Sequence, residues 1–419
     1  MSVPSVRALT QPGTKTRATI VTTAVALAAV TLAAPSAGAA DKWGPGFLIP
    51  DSAGHAGASH LGAYGAPGAP LPGINGLAYC ADPELSGPDT AGRYGPATDF
   101  TTWTSRATGK KASPQDVARA AYLLSQYGET TRDAQAAAID ADIYTFLEPG
   151  STYALPDGKR ALQRLAYPAV PATTKNLAQD FLAEAATFAG PYTLNVHPTA
   201  GPFTPGKTTP VTLDVTSASG HKMPGIKLEL DVSGAAAGAG TVTTNADGIA
   251  TAIITPTAAG TVDIKALAKS LPATALRAVA PSNTKAQRML LTGGRSTAQA
   301  QAQLTVATPH GGLTLTKTAA DTGAPLPGVV FAVKDSAGKT VATGATDAHG
   351  VWTAADLTPG AYTVHEVAAV EGYQLAADQD ATVTEGTTAR VAVKDTKIPA
   401  LPKPKPRPVT ITVLPKTGA

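Results

Sequence analysis

Three ionisable residues in the last third of the chain fall where strand alternation should hide them. In Leu313-Thr314-Leu315-Thr316-Lys317 the odd positions share one face, so Lys317 follows two leucines inward. The same parity places Glu366 with Tyr362 and Val364, and Asp395 with Val391 and Val393. Buried as separate charges, these groups would be costly, so they must neutralise one another or react. Desolvation favours a neutral amine beside a neutral acid, the state in which the nitrogen can attack a carboxyl carbon. Condensation of Lys317 with Asp395 would give an amide and release water, with Glu366 shuttling the proton. Holding the groups in contact supplies the effective molarity that the reaction otherwise lacks.

A second pair points to acyl chemistry. Cys80 is the sequence's single cysteine and can form no internal disulfide; it ends the apolar run Leu77-Ala78-Tyr79. Gln135 stands four residues before Ile139, eight before Ile143 and eleven before Phe146, on the apolar face of a helix. Attack of the Cys80 thiolate on the Gln135 carboxamide would expel ammonia and leave a thioester, an acylating group waiting for an amine. Gln126, on the preceding helix, is an alternative partner, and a cysteine that merely packs as a small hydrophobe is another reading. A Cys/His hydrolase is not expected. No histidine lies between 61 and 196, so a base would have to come from His55 or His60 or from a stalk domain. The other histidines, at 197, 221, 310, 349 and 365, lack paired metal-ligand spacing, and no phosphate-binding loop is present. The sequence therefore calls for no metal, no cofactor and no enzymatic turnover.

The elements that must carry these residues change character along the chain. Ser113-Pro114 opens a helix with Val117, Ala120, Ala121 and Leu124 on one face and Gly128 at its end; a second helix starts near Thr131 and a third runs from Thr174 to Phe188. Strand candidates before 113 and helices after it predict an α+β head over 42–190. From Pro191 the period becomes two, as in Ile226 to Val232, and runs of this kind separated by Gly and Pro turns predict one β-sandwich over 191–308 and another over 311–397. A partial repeat links them: Pro224-Gly225-Ile226 and Thr244-Asn245-Ala246-Asp247-Gly248 match Pro327-Gly328-Val329 and Thr346-Asp347-Ala348-His349-Gly350. The fold class read from the sequence is multi-domain, an α+β head followed by two all-β sandwiches and a proline-rich tail over 398–419.

Both ends suggest export. Arg7, Lys15 and Arg17 precede the apolar segment Ala18 to Ala34 and a small-residue cleavage site, so residues 1–40 read as a signal peptide. With 419 residues, 41 glycines and 35 prolines, the chain has the composition of a turn-rich, multi-domain β protein. Its net charge of +3 is spread along the sequence, which excludes an electrostatic nucleic-acid surface.

The C-terminal Leu414-Pro415-Lys416-Thr417-Gly418 is similar to the LPxTG sortase signal of Gram-positive surface proteins, which implies sortase and peptidoglycan as partners. That signal ordinarily continues into an apolar helix, whereas this sequence ends at Ala419, so both anchored and released forms stay open. Residues 311–397 resemble the isopeptide-forming pilin and adhesin modules of prealbumin-like fold (SpaA/CnaB type) through Lys317, Thr322-Gly323, Pro327-Gly328, Tyr362 to Glu366, Glu371-Gly372-Tyr373 and Val393-Lys394-Asp395. Many members carry Asn where Asp395 stands. The middle segment is similar to bacterial Ig-like repeats. Tyr79-Cys80 with Ala134-Gln135-Ala136-Ala137-Ala138-Ile139 resembles the thioester domains of Gram-positive surface adhesins, with Ala134 replacing a threonine and Asp140 an aromatic. The resemblance implies covalent attachment at the cell surface to an amine-bearing target; the alternative is a structural wall or pilus-like protein with an inert cysteine.

Overall fold

The computed structural model describes residues 43–237 and 240–400, so the signal segment and the Leu414 to Gly418 motif lie outside the described residues. The fold comprises an α+β head and two β-sandwiches. In the head, β1 (Gly46–Ile49) and β2 (Ser59–Gly62) form an antiparallel pair, and β3 (Ala78–Cys80) and β4 (Thr98–Phe100) join a separate sheet. Four helices follow: α1 (Pro114–Tyr127), α2 (Asp133–Leu147), α3 (Lys159–Leu165) and α4 (Thr173–Phe188).

Local chemistry accounts for the helix ends. Ser113 caps α1 by accepting the Asp116 amide at 3.0 Å, and Pro114 occupies the first turn, where no amide donor is needed. The apolar side of α1 buries Val117, Ala120, Ala121 and Leu124, as its spacing predicts. Helix α2 departs from the one-sided pattern. It packs against α1, α4 and the β1–β2 pair, and every residue from Ala136 to Tyr144 is buried. Ala136, Ala137, Ala138 and Ala141 let neighbours approach from several sides, which carries Asp140 and Asp142 inside as well. Arg164 of α3 meets Asp140 at 2.6 Å. Asp142 has no such partner, and burial alone pushes its carboxyl well above the usual range.

The middle sandwich begins with β5 (Thr193–Pro198), β6 (Thr209–Thr216), β7 (Lys227–Ser233), β8 (Ala235–Ala237), β9 (Thr241–Thr243), β10 (Ile249–Pro256) and β11 (Gly260–Leu271). The chain then leaves it. Strands β12 (Leu276–Val279) and β13 (Met289–Leu291) enter the head sheet, whose order is β3-β13-β12-β4, before β14 (Ser296–Val306) returns to pair with β11. This corrects the boundaries read from the sequence. The head comprises 43–190 together with 272–295, and the middle sandwich is inserted within it as 191–271 and 296–308. Ala273, Leu276, Ala278 and Leu290 belong to the same core as α1, α2 and α4. Period-two strands look alike in sequence whichever sheet they join, so local pattern could not reveal the excursion.

The last domain contains β15 (Gly311–Ala319), β16 (Val330–Asp335), β17 (Thr340–Ala345), β18 (Val351–Leu357), β19 (Gly360–Ala368), β20 (Gln379–Val383) and β21 (Thr388–Asp395). Its sheets have the orders β18-β15-β21 and β17-β16-β19-β20. First and last strands run parallel, with Lys317 opposite Val393 and Ala319 opposite Asp395.

The repeat in the sequence is a repeated hydrogen-bonded buckle. Thr244 Oγ1 accepts from the Ile226 amide at 2.8 Å and donates to the Met223 carbonyl at 2.7 Å. Thr346 Oγ1 accepts from Val329 at 3.0 Å and donates to Leu326 at 2.6 Å. Asn245 and Asp347 then each accept two amides from the following turn. Replacing Thr346 by valine keeps the shape and strands a buried donor and acceptor, so the last domain should lose about 1–3 kcal/mol in denaturant melts. Thr244→Val should do the same to the middle sandwich.

Candidate functional site: a buried amine between two carboxyls, and a buried cysteine

Alternation in β15, β19 and β21 sends Lys317, Glu366 and Asp395 into one apolar core lined by Leu313, Leu315, Phe331, Val364 and Val393. Lys317 is 0% exposed. Its Nζ donates to Glu366 Oε2 at 2.7 Å and to Asp395 Oδ1, and it lies 5.4 Å from the centre of the Phe331 ring. The Ala376 amide also donates to Glu366 Oε2, at 3.0 Å. Glu366 Oε1 and Asp395 Oδ2 are buried and accept nothing. One cation among two carboxylates would leave an uncompensated charge in this core, and burial accordingly pushes Asp395 up, against the opposing pull of Lys317. Asp395 is thus held toward the neutral acid, in contact with the amine that could attack it.

The middle sandwich supplies an internal comparison. The Met223 amide bonds to the Val215 carbonyl at 2.7 Å where the Leu326 amide bonds to that of Lys317 at 3.1 Å, so Val215 occupies the lysine's place. Register puts Ala268 opposite Leu228 where Glu366 lies opposite Phe331. The neighbouring strand differs: β5 lies antiparallel beside β6, with Leu194 opposite Val215, whereas β21 lies parallel beside β15. Val215, Ala268, Leu194 and Leu228 are packed in one apolar core. The same strand scaffold therefore folds without a charged triad, and the triad is a feature of the last domain that the middle sandwich lacks.

In the head, β3 alternates about Cys80. Tyr79 faces the core shared with α1 and α2, while Cys80, 2% exposed, faces Tyr64, Ile74, Tyr94, Tyr144 and Met289. Its Sγ is 3.8 Å from Met289 Sδ. Burial, with Asp140 adding to it, pushes the thiol well above its ordinary range. Gln135 is elsewhere engaged: its Nε2 donates to the Tyr127 carbonyl at 2.9 Å, and Tyr79 Oη donates to the adjacent Gly128 carbonyl at 3.0 Å. The tyrosine before the cysteine and the helix glutamine thus both tie down the C-terminal end of α1, and no hydrogen bond joins Gln135 to Cys80. Gln126 is exposed and cannot meet the buried thiol.

The buried glutamine next to the strand that pairs with Cys80 is Gln287, which the sequence reading did not single out. Met289 pairs with Cys80 across β13 and β3, and Gln287 lies two residues before it, just outside β13. Its carbonyl accepts from Tyr94 Oη at 3.2 Å, and Tyr94 lines the cysteine's cluster. Gln287 is buried and its Oε1 has no partner. Gln287 in Ala286-Gln287-Arg288-Met289 is visible in the sequence but its burial is not; only the pairing of β13 with β3 gives it meaning.

A further carboxyl sits nearby. Glu148 is buried with Ser105 on its Oε2, and desolvation raises it to about 7 despite that bond. A carboxyl raised on folding stabilises the head fully below its unfolded pKa, and that stability is lost as pH climbs through the folded value. The head's melting midpoint should therefore fall between about pH 5 and about pH 8, and Glu148→Gln should flatten that fall.

Comparison with known proteins fits the last domain first. Residues 311–397 match the family of SpaA domains with a prealbumin-like fold. No curated protein matches the chain. Solved structures similar to it include the TIE protein of Bacillus anthracis, at 16% identity and a TM-score of 0.50, covering 77% of this chain and 60% of that one. They also include GBS52, the minor pilin of Streptococcus agalactiae (19% identity, TM-score 0.23, covering 51% of this chain and 99% of that one). BcpA, the major pilin subunit of Bacillus cereus, is similar at 15% identity and a TM-score of 0.24, covering 49% of this chain and 71% of that one. The Bacillus anthracis structure shares the fold across most of this chain, and this chain spans 60% of its length. Among the described residues, no helix is long and apolar enough to cross a membrane.

Proposed function

We propose that the chain is an exported, pilin-like surface protein that attaches covalently through its head and is displayed on a stalk locked by a Lys317–Asp395 isopeptide. The carrying observation is the buried Lys317 amine held between Glu366 and Asp395 in an otherwise apolar core. The Lys317 ammonium leaves one proton on Glu366, its nitrogen bonds to Asp395 Cγ, and the carboxyl's hydroxyl departs as water with a second proton from the nitrogen. The amide ties the first strand of the domain to the last, so tension along the chain passes through a covalent bond rather than a ladder of hydrogen bonds. The SpaA family match and the Bacillus anthracis likeness support this reading of the stalk.

The head's part follows from Cys80 and Gln287. The sulfur bonds to the Gln287 carboxamide carbon, the C–N bond breaks, and the thiol proton leaves with the nitrogen as ammonia. A primary amine on a target then displaces the sulfur, restoring the thiol and leaving the target amide-linked to Gln287. Each chain would act once, without turnover. An amine probe such as biotin-cadaverine should label the folded chain at Gln287 and not the Cys80→Ala chain. Failure to label reduces the head to a non-covalent module, the reading favoured by the contact of Cys80 with Met289.

A further inference from the structure

We propose that the pair formed by buried Asp82 and half-buried Arg288 is the positioning element that sets Gln287 against Cys80; this rests on the thioester reading above. Asp82 lies two residues after Cys80, and Arg288 stands between Gln287 and Met289. The Asp82 carboxylate, 1% exposed, takes three donors from that single residue. The Arg288 backbone amide and Nε bond to Oδ2 at 3.0 and 2.8 Å, and Nη2 bonds to Oδ1. In return the Arg288 carbonyl accepts from the Ala81 amide at 3.0 Å. The guanidinium lies 3.8 Å from the centre of the Trp103 ring, which backs it, and Arg106 adds a second cation 3.7 Å from Oδ2.

This clasp joins segments 206 residues apart at the place where they most need fixing. Strands β3 and β13 share only three paired residues, a ladder too short to hold register strongly by itself. A slip by one would turn the side chains of β13 to the other face and shift Gln287 relative to Cys80. The planar fork of Arg288, bonded through both main chain and side chain, forbids that slip and sets the depth of the glutamine. Acyl transfer demands such control, because a displacement of about 1 Å can cost about 100-fold in rate.

The test uses the full chain and two charge-conserving variants, Asp82→Glu and Arg288→Lys. Intact mass records how fast the ammonia deficit appears after refolding, and the head's melting midpoint is measured in parallel. Formation should slow about 10- to 100-fold in both variants while the head remains folded. Arg119→Ala, which breaks the distant Asp116–Arg119 pair, should keep the wild-type rate. A merely structural pair would shift the midpoint and leave the rate unchanged in folded protein. That outcome, with a wild-type deficit present, overturns the proposal alone; a wild-type chain with no deficit overturns the thioester reading and the proposal together.

Discussion

Replacing Lys317 by alanine should lower the melting midpoint of the last domain by about 20 to 30 °C and return one water to the mass of the chain. The size follows from chain entropy. A link between residues 78 apart, Lys317 and Asp395, restricts the unfolded ensemble by about 4 to 5 kcal/mol on the same polymer argument that applies to a disulfide. Removing the amine also leaves Glu366 and Asp395 buried without their cation, which adds to the loss. Burial pushes Asp395 up, so the variant should gain stability toward acid pH, whereas a cross-linked domain has no free Asp395 carboxyl to titrate. Glu366→Gln separates bond from packing: it keeps the shape, removes the proton shuttle, and should leave the chain uncondensed by mass. Calorimetry that resolves the last domain's transition is the deciding measurement. A Lys317→Ala midpoint within a few degrees of wild type would mean that the triad packs without reacting.

Substituting Gln287 by alanine should abolish amine labelling of the head, while substituting Gln135 should leave it in place. Both glutamines are at least partly buried, and their surroundings assign them different work. Gln135 gives its amide hydrogen to the Tyr127 carbonyl at the end of α1; its loss removes one hydrogen bond, about 1 kcal/mol, and loosens the α1–α2 corner. Gln287 has a buried, unpartnered oxygen, and its carbonyl accepts from Tyr94 of the cysteine's cluster. Cys80→Ala should match Gln287→Ala in losing both the ammonia deficit and the probe. Labelling that survives Gln287→Ala and vanishes with Gln135→Ala would reverse the assignment.

The two sites differ in how much of them the sequence could carry. Lys317, Glu366 and Asp395 are separately legible because each sits at the end of its own alternating strand, and parity needs only a few neighbours. Their meeting at one point, and the parallel pairing of β15 with β21, required the sandwich. Cys80 was legible as the sequence's single thiol, but its partner was not. Gln135 stands on an apolar helical stripe, and the stripe proved to be part of a helix buried all round, with the glutamine at its first turn serving the end of α1. Gln287 lies in a stretch that reads as one more strand of the middle sandwich. Its place depends on the chain leaving that sandwich after Leu271 and pairing with a strand that it left 209 residues earlier. Helix α1, with Ser113, Pro114 and Gly128 marking its ends, was written locally and folds locally.

The most direct test of covalent display is the intact mass of the folded chain after export, measured against the mass calculated from its observed N-terminus and beside Cys80→Ala and Lys317→Ala. The wild type should be lighter by one ammonia and one water, the first variant by water alone and the second by ammonia alone. A folded wild-type chain with its full calculated mass would contradict both bonds.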